Sequence, residues 1–201
     1  NAVGSLREDL PPQTLVIPDG IYDRTKHRDL TFFDEDVVVH QPFADPYCAD
    51  LNEILADAAE SATDADVERG GTYVCIEGPQ YSTRAESEFY RAQGWDIIGM
   101  TTIPEAKLAR EAEMAYATVT GVTDYDVWKR ESEVTLDEVL ENAAENETAI
   151  KETVEAAIRA IPEDHECDCH SALSGTINTP DEAISEATKA DLEPLIGEYV
   201  E

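Results

Sequence analysis

The chain has 201 residues, 42% of them hydrophobic, which is enough to bury a core within a single domain. Asp and Glu number 45 against 14 Lys and Arg, and the resulting formal net charge of -31 repels phosphodiester backbones and anionic lipid surfaces. Nucleic acid and membranes are therefore excluded as partners. No apolar run approaches the roughly 20 residues of a membrane span, so a cytoplasmic address is expected.

The opening "NAVGSL" reads as the end of a strand turning into a loop, and without an initiating Met the start is expected to be an internal cut. "TLVIPD" (14–19) and "VVVHQPF" (37–43) predict strands, separated by an acidic turn at 34–36. Residues 50–62 predict a helix that buries Leu51, Ile54, Leu55 and Ala58. "GTYVCIEGP" (71–79) predicts a strand stopped by Gly78 and Pro79. Thr83 with Glu86 three residues on is a capping-box pattern, opening a helix through Gln93.

"DIIGM" (96–100) predicts a short buried strand, and Pro104 suits the first turn of a helix running to Met114. "AYATVTGVTDYD" (115–126) is the longest predicted strand. Helix then covers 135–161, where Leu136, Val139, Leu140, Ala144, Ile150, Val154, Ile158 and Ile161 keep roughly helical spacing, and another helix covers 180–193. This order predicts one α/β domain over 1–201 with a central sheet flanked by helices. There is no internal repeat and no linker rich in Pro, Gly or Ser.

The acidic residues fall between apolar positions, the pattern of a folded protein with a carboxylate-rich surface rather than of a disordered chain. Such a surface resembles proteins of salt-loving organisms, where concentrated salt screens the repulsion, so instability in dilute buffer is expected.

Three predicted strand ends carry polar or unusual groups: 78–82, 99–102 and 123–126. Ligands of open α/β sheets bind at the carboxyl ends of strands, so these three predict one pocket. In "VTDYDVW" (122–128), strand alternation would point the carboxylates of Asp124 and Asp126 the same way. On those residues alone, a cap for a turn after a strand is the commoner role of such aspartates.

Taken together, "GSLRED", "HQPFADPYC", "GTYVCIEGPQYSTRAES" and "GMTTIPEAKLAREAEMAYATVTGVTDYDVW" resemble the methylthioadenosine phosphorylases of the trimeric purine nucleoside phosphorylase family. The likeness runs from Asn1 to about Ile161. It covers the C-terminal two-thirds of such a chain, leaving 162–201 as a divergent tail. Family members carry a Gly-rich loop and an Arg-His pair for phosphate ahead of this region, so the chain as given is expected to be inactive alone.

The resemblance implies phosphorolysis of S-methyl-5'-thioadenosine to adenine and 5-methylthioribose 1-phosphate, with phosphate as co-substrate, no cofactor and no metal. It implies that the central sheet is mixed and that the protein is a homotrimer, or a hexamer as a dimer of trimers. By the same resemblance Asp124 serves the base. A carboxyl accepts from a 6-amino group and, when protonated, donates to N7, whereas a 6-oxopurine favours Asn there. A neighbouring charge at Asp126 and shielding from water would raise a carboxyl pKa, as a general acid requires.

Met100 is implied to lie against the ribose and Tyr81 to stack on the base, with Ser82 tuning the choice of base. Asn1, Ala2 and Thr101 are implied to touch phosphate. Leu136, Val139 and Leu140 form an implied apolar wall at the 5′ substituent, and His40 an implied contact to a neighbouring subunit's pocket. An apolar wall of this kind discriminates by only about 1–3 kcal/mol per methyl-sized group.

Cys167 and Cys169 in "HECDCH", flanked by His165 and His170, offer metal-ligand types, but CxC spacing alone is a weak signal for a four-ligand site. Some archaeal family members use a similar CxC in disulfides, with Cys48 and Cys75 as further partners to weigh. Two other readings stay open from sequence: a phosphorylase of broader or methylthioinosine preference, and a non-enzymatic nucleotide- or metal-binding module.

Overall fold

Three aliphatic or aromatic runs become strands because both faces of each can be covered. Leu15, Val16 and Ile17 are buried, as are Tyr73, Val74 and Cys75, and Ile97 with Ile98. In a computed structural model, which describes residues 1–129 and 135–200, these runs form β2 (Leu15–Ile17), β5 (Thr72–Ile76) and β6 (Ile97–Gly99). They join β1 (Ala2–Ser5), β3 (Gly20–Arg24), β4 (Val67–Arg69) and β7 (Thr120–Asp124) in a seven-stranded sheet ordered β3-β5-β6-β1-β7-β2-β4.

The sheet is mixed. Strands β3, β5 and β6 run parallel, β1 is antiparallel to β6 but parallel to β7, β7 is antiparallel to β2, and β2 is parallel to β4. The direction therefore reverses between β6 and β1, at the centre of the sheet.

Side-chain alternation sends helices to both faces. Tyr73, Cys75, Ile97, Val3 and Val122 pack with Ile103 and Ala106 of α3 (Thr102–Glu111). On the opposite face Val74 and Ile98 meet Tyr90 of α2 (Arg84–Ala92), while Leu15, Ile17 and Val119 meet Ala56 and Ala59 of α1 (Ala49–Ala62). The long helix α4 (Leu136–Ala160) lies against α1 and β7. The capping box of α2 is present in full: Thr83 accepts from the Glu86 N–H, and the Glu86 side chain accepts from the Thr83 N–H.

The faces of α1 and α4 differ from the predicted ones. Small residues, Ala56, Ala58 and Ala59, are the buried positions of α1, whereas Leu51, Ile54 and Leu55 are half-buried. On α4, Asn146, Thr153 and Ala157 are buried, while Leu140, Val154, Ile158 and Ile161 are exposed. The helix is turned by polar anchoring: Asn142 Nδ2 donates to the Thr123 carbonyl (2.8 Å) and Asn146 Nδ2 to the Val122 carbonyl (2.9 Å). Gly121 permits this approach, since a Cβ there would stand 2.6 Å from the Asn146 side chain.

Three predicted elements are corrected. Residues 37–43 form no strand; only Val39 bridges, antiparallel, to Ile177. Asp36 adopts a left-handed φ of 63°, and Val37 and Phe33 are buried with Leu173, Ile184 and Ile196, so the apolar run serves a separate small core with the C-terminal tail. The strand predicted over 115–126 pairs only from Thr120 to Asp124. The helix predicted over 180–193 is broken into a single 3-10 turn, α5 (Glu186–Asp191) capped by Ser185, and α6 (Glu193–Ile196). Strands β3 and β4 were not predicted; both are short, and all but their exposed last residues are half-buried.

Candidate active site

Because direction reverses between β6 and β1, the three polar segments are not carboxyl ends along one edge of the sheet, as the sequence predicted. Gly4 pairs with both Ile98 and Asp124, which sets the end of β7 beside a four-residue strand whose other neighbour, β6, runs the opposite way. Ile98 near the end of β6 and Asp124 at the end of β7 therefore flank the same residue of β1, two interstrand spacings or about 10 Å apart. A cleft of about 260 Å³ forms over this crossing. Ala2, Gly4, Tyr81, Ser82, Met100, Thr101, Asp124, Asp126 and Val139 line it, with Val3, Ile76, Ile98, Gly99 and Thr123 completing the wall.

The two aspartates reach the cleft by a turn rather than by alternation. β7 stops at Asp124, and Asp126 takes a left-handed φ of 51°. Asp124 Oδ1 accepts from the Asp126 N–H (2.7 Å) and Oδ2 accepts from the Thr123 hydroxyl (2.7 Å), so Asp124 caps its own turn while facing the cavity. Gly4 makes room for the pair, for a Cβ there would lie 3.0 Å from Asp124 Oδ1 and 3.4 Å from Asp126 Cβ.

Asp126 is the deeper carboxyl, only 6% exposed. Burial pushes its pKa above the ordinary aspartate value and the neighbouring Asp124 charge adds to the rise, while the Val127 N–H and the nearby Ser87 and Ser82 hydroxyls, which approach without forming well-aligned hydrogen bonds, pull it down. Asp126 Oδ2, Ser82 Oγ and Ser87 Oγ are buried without a hydrogen-bond partner among the described residues. Unpaired buried polar atoms cost about 1–3 kcal/mol each, so this corner favours a ligand that brings its own polar groups.

On the opposite wall the Tyr73 hydroxyl, wholly buried, meets Thr101 Oγ1 at 3.2 Å and accepts from the Thr101 N–H at 3.4 Å. Gly99 leaves space for that hydroxyl, which would stand 2.1 Å from a Cβ at this position. Neither Tyr73 nor the asparagines of α4 were singled out from sequence. A tyrosine inside an apolar strand run reads as core, and nothing local marks the residue it supports.

Other predicted site residues lie elsewhere. Asn1 turns its side chain to Thr118 Oγ1 (2.8 Å) and its amino group to the Val119 carbonyl (2.9 Å), outside the cleft. His40 is exposed, its N–H bonded to the Thr176 carbonyl, and does not line the cavity. Leu140 is 57% exposed and also lies outside it. Leu136 begins α4, and its side chain falls outside the described residues. Tyr81, at 60% exposure, stands at the cleft rim.

A separate group of potential metal ligands sits where the tail meets α1. The sulfurs of Cys48, Cys167 and Cys169 lie within 4.8 Å of one another, and a second group joins Cys48 with Asp50 and His165. Cys75 is apart from them, inside β5.

Residues 1–159 match the phosphorylase superfamily. The chain is 49% identical over 201 residues to the S-methyl-5'-thioadenosine phosphorylase of Chloroflexus aurantiacus, covering 99% of this chain and 69% of the relative. It is 48% identical to that of Geobacter sulfurreducens, covering 100% and 70%. Among solved structures, a methylthioadenosine phosphorylase from an Antarctic soil metagenomic library superimposes with a TM-score of 0.90 at 45% identity, over 96% of this chain and 69% of that one. Schistosoma mansoni methylthioadenosine phosphorylase in complex with adenine gives 0.82 at 32% identity, over 89% and 71%. With its sheet order, its helices on both faces and matches of this extent, the chain belongs to the phosphorylase superfamily.

Proposed function

We propose that the chain is the larger part of a phosphorylase that splits S-methyl-5'-thioadenosine into adenine and 5-methylthioribose 1-phosphate, a salvage reaction for purine and methionine. The convergence of Asp124, Asp126, Ser82, Met100 and Thr101 on one cleft supports this reading most directly. A phosphate oxygen attacks C1′ of the sugar, the C1′–N9 bond breaks as the departing electron pair moves onto the base, and a proton reaches N7.

The aspartate pair supplies the groups this leaving base needs. Asp124 hands the proton to N7 in the transition state, and Asp126, buried beside it, binds a proton more readily than an ordinary aspartate. The carboxylate oxygens left over accept from the 6-amino group. Thr101, braced by Tyr73, and the backbone at Ala2 face phosphate, with further phosphate contacts from residues ahead of Asn1 in a chain of the relatives' length. Met100 packs on the ribose, Tyr81 on the base and Val139 beside the 5′-methylthio group. Assembly as a homotrimer, or as a hexamer made of two trimers, with His40 of one subunit reaching a neighbour, belongs to the same proposal.

A preference for 6-oxopurines is the second reading. An aspartate at 124 beside a serine at 82 disfavours it, because a carboxylate facing O6 sets two acceptors against each other.

The test is base release from methylthioadenosine and methylthioinosine, with and without phosphate, in concentrated KCl, by this chain and by one extended to the relatives' length. Phosphate-dependent adenine release by the extended chain supports the reading; release without phosphate, or from methylthioinosine in preference, overturns it. The surface charge gives the salt: with a net charge of -31, the melting temperature should rise with KCl by more than sucrose of equal osmolality achieves.

A further inference from the structure

The tail after α4 returns to the protein at one point of unusual chemistry. Cys48 is the N-cap of α1 and is buried, Cys169 is buried within a 3-10 turn over Asp168–Ser171, and Cys167 immediately precedes that turn. All four cysteines of the chain are free thiols, and three of them meet here. His165, two residues before Cys167, brings a ring nitrogen within 4.8 Å of the Cys48 sulfur and an Asp50 oxygen. The Nε2 of that histidine is buried with no hydrogen-bond partner among the described residues.

We propose that Cys48, Cys167, Cys169 and His165 form a structural zinc site that fastens the C-terminal tail to the start of α1. Three thiolates and one imidazole are a four-ligand set that zinc takes in closed, non-catalytic sites. In a tetrahedron with Zn–S distances of about 2.3 Å the sulfurs stand about 3.8 Å apart. The three sulfurs, within 4.8 Å of one another, thus need only about 1 Å of closure, while His165, which stands against Cys48 and Asp50 rather than against the other two sulfurs, must turn its ring toward them to become the fourth ligand.

The surroundings fit the charge as well. Three thiolates, one neutral imidazole and one divalent cation leave a single negative charge, which the N-terminus of the fourteen-residue helix α1 favours. Away from this point the tail is held by one small core and by scattered hydrogen bonds, from the Leu173 N–H and the Tyr199 hydroxyl to Glu113 and from the His40 and Asn178 N–H groups to the carbonyls of Thr176 and Val38. Its own core is Leu173, Ile184 and Ile196 against Phe33 and Val37, and it is joined to the sheet by no strand. A cross-link between positions 48 and 167–169 would close a loop of more than a hundred residues. The phosphorolysis reaction itself calls for no metal, so the site's task is to hold the tail.

The test uses the full-length protein, purified without chelator and kept reduced. Its zinc is measured by plasma mass spectrometry, and its absorbance is recorded after exchange into cobalt(II). About one zinc per chain is expected, with the thiolate charge-transfer and ligand-field bands of tetrahedral cobalt. The paired change Cys167→Ser and Cys169→Ser should abolish both signals. His165→Ala, which leaves all thiols in place, should keep the charge transfer but weaken zinc by more than the about 10–100-fold that loss of an outer-shell partner costs.

Removing the metal should speed amide exchange across residues 162–200 and leave that of β5 and β6 unchanged. The proposal is overturned if the reduced protein carries no zinc. It is equally overturned if zinc is retained by the double-serine variant, or if intact mass under non-reducing conditions shows Cys48 already joined to Cys167 or Cys169 as a disulfide.

Discussion

The centre of the sheet and the corner where the tail docks are built on different terms. At the centre, strands β6, β1 and β7 are fixed by backbone pairing, and glycines at 4, 99 and 121 let side chains and a helix approach to near contact. At the corner, Phe33, Val37, Leu173, Ile184 and Ile196 form a core with one isolated bridge and a trio of cysteines. A functional cleft needs positions held to fractions of an ångström, and the ladder provides them. The corner needs only to stay closed, which apolar contact and a few hydrogen bonds accomplish.

The largest effect should come from emptying the corner. Leu173 is fully buried, so Leu173→Ala should cost about 2–5 kcal/mol, seen as a lower unfolding midpoint and as fast amide exchange confined to residues 31–40 and 162–200. The KM for phosphate should not change. A changed KM would mean that the two regions are not independent.

Gly99→Ala should cost less, about 1–3 kcal/mol, because the added methyl meets the buried Tyr73 hydroxyl and one of them must move. Here the KM for phosphate should rise, since Tyr73 braces Thr101. Tyr73→Phe removes the same brace without the clash, and should raise that KM with little loss of stability. Equal KM values in all three proteins would remove Tyr73 from the positioning of phosphate.

The smallest expected effect is a pH slope. Asp126 binds a proton more tightly folded than unfolded, so over the window between the ordinary aspartate value and its raised one the native state holds the extra proton. Stability from this group therefore falls as pH rises through that window and is level above it. Asp126→Asn should lose that slope and be the more stable protein at neutral pH while losing turnover. A parent and variant with parallel pH profiles would mean that burial does not perturb this carboxyl.

The centre was largely legible in sequence. The apolar runs within 15–17, 72–76 and 97–99 are short and buried at 15–17, 73–75 and 97–98, and the Thr83–Glu86 box marks its helix without tertiary help. The cleft residues followed from the order of the motifs rather than from periodicity. What alternation could not give was the reversal of direction between β6 and β1, or the left-handed turn that carries Asp126 into the cleft.

The corner was not legible. "VVVHQPF" has the composition of a strand, but composition does not say whether a partner edge is free, and here the partner was a tail with no strand of its own. The stripe on α4 misled for a related reason. Asn142 and Asn146, polar residues, set the helix rotation by bonding to the carbonyls of β7, so leucine and isoleucine spacing was the weaker guide. Sequence offers both Cys48 and Cys75 as partners of Cys167 and Cys169, and only the fold selects Cys48, at the start of α1, over Cys75 inside β5.

The claim on which the functional reading turns is that the Asp124 carboxyl recognises a 6-aminopurine in this cleft. The direct measurement is kcat/KM of the full-length protein and its Asp124→Asn variant on methylthioadenosine and on methylthioinosine. The expected result is a loss of about 10²–10³-fold on the 6-amino substrate, in the range of a lost general acid, with a much smaller loss or a gain on the 6-oxo substrate. Equal losses on both would contradict the assigned role and return Asp124 to the capping of its own turn.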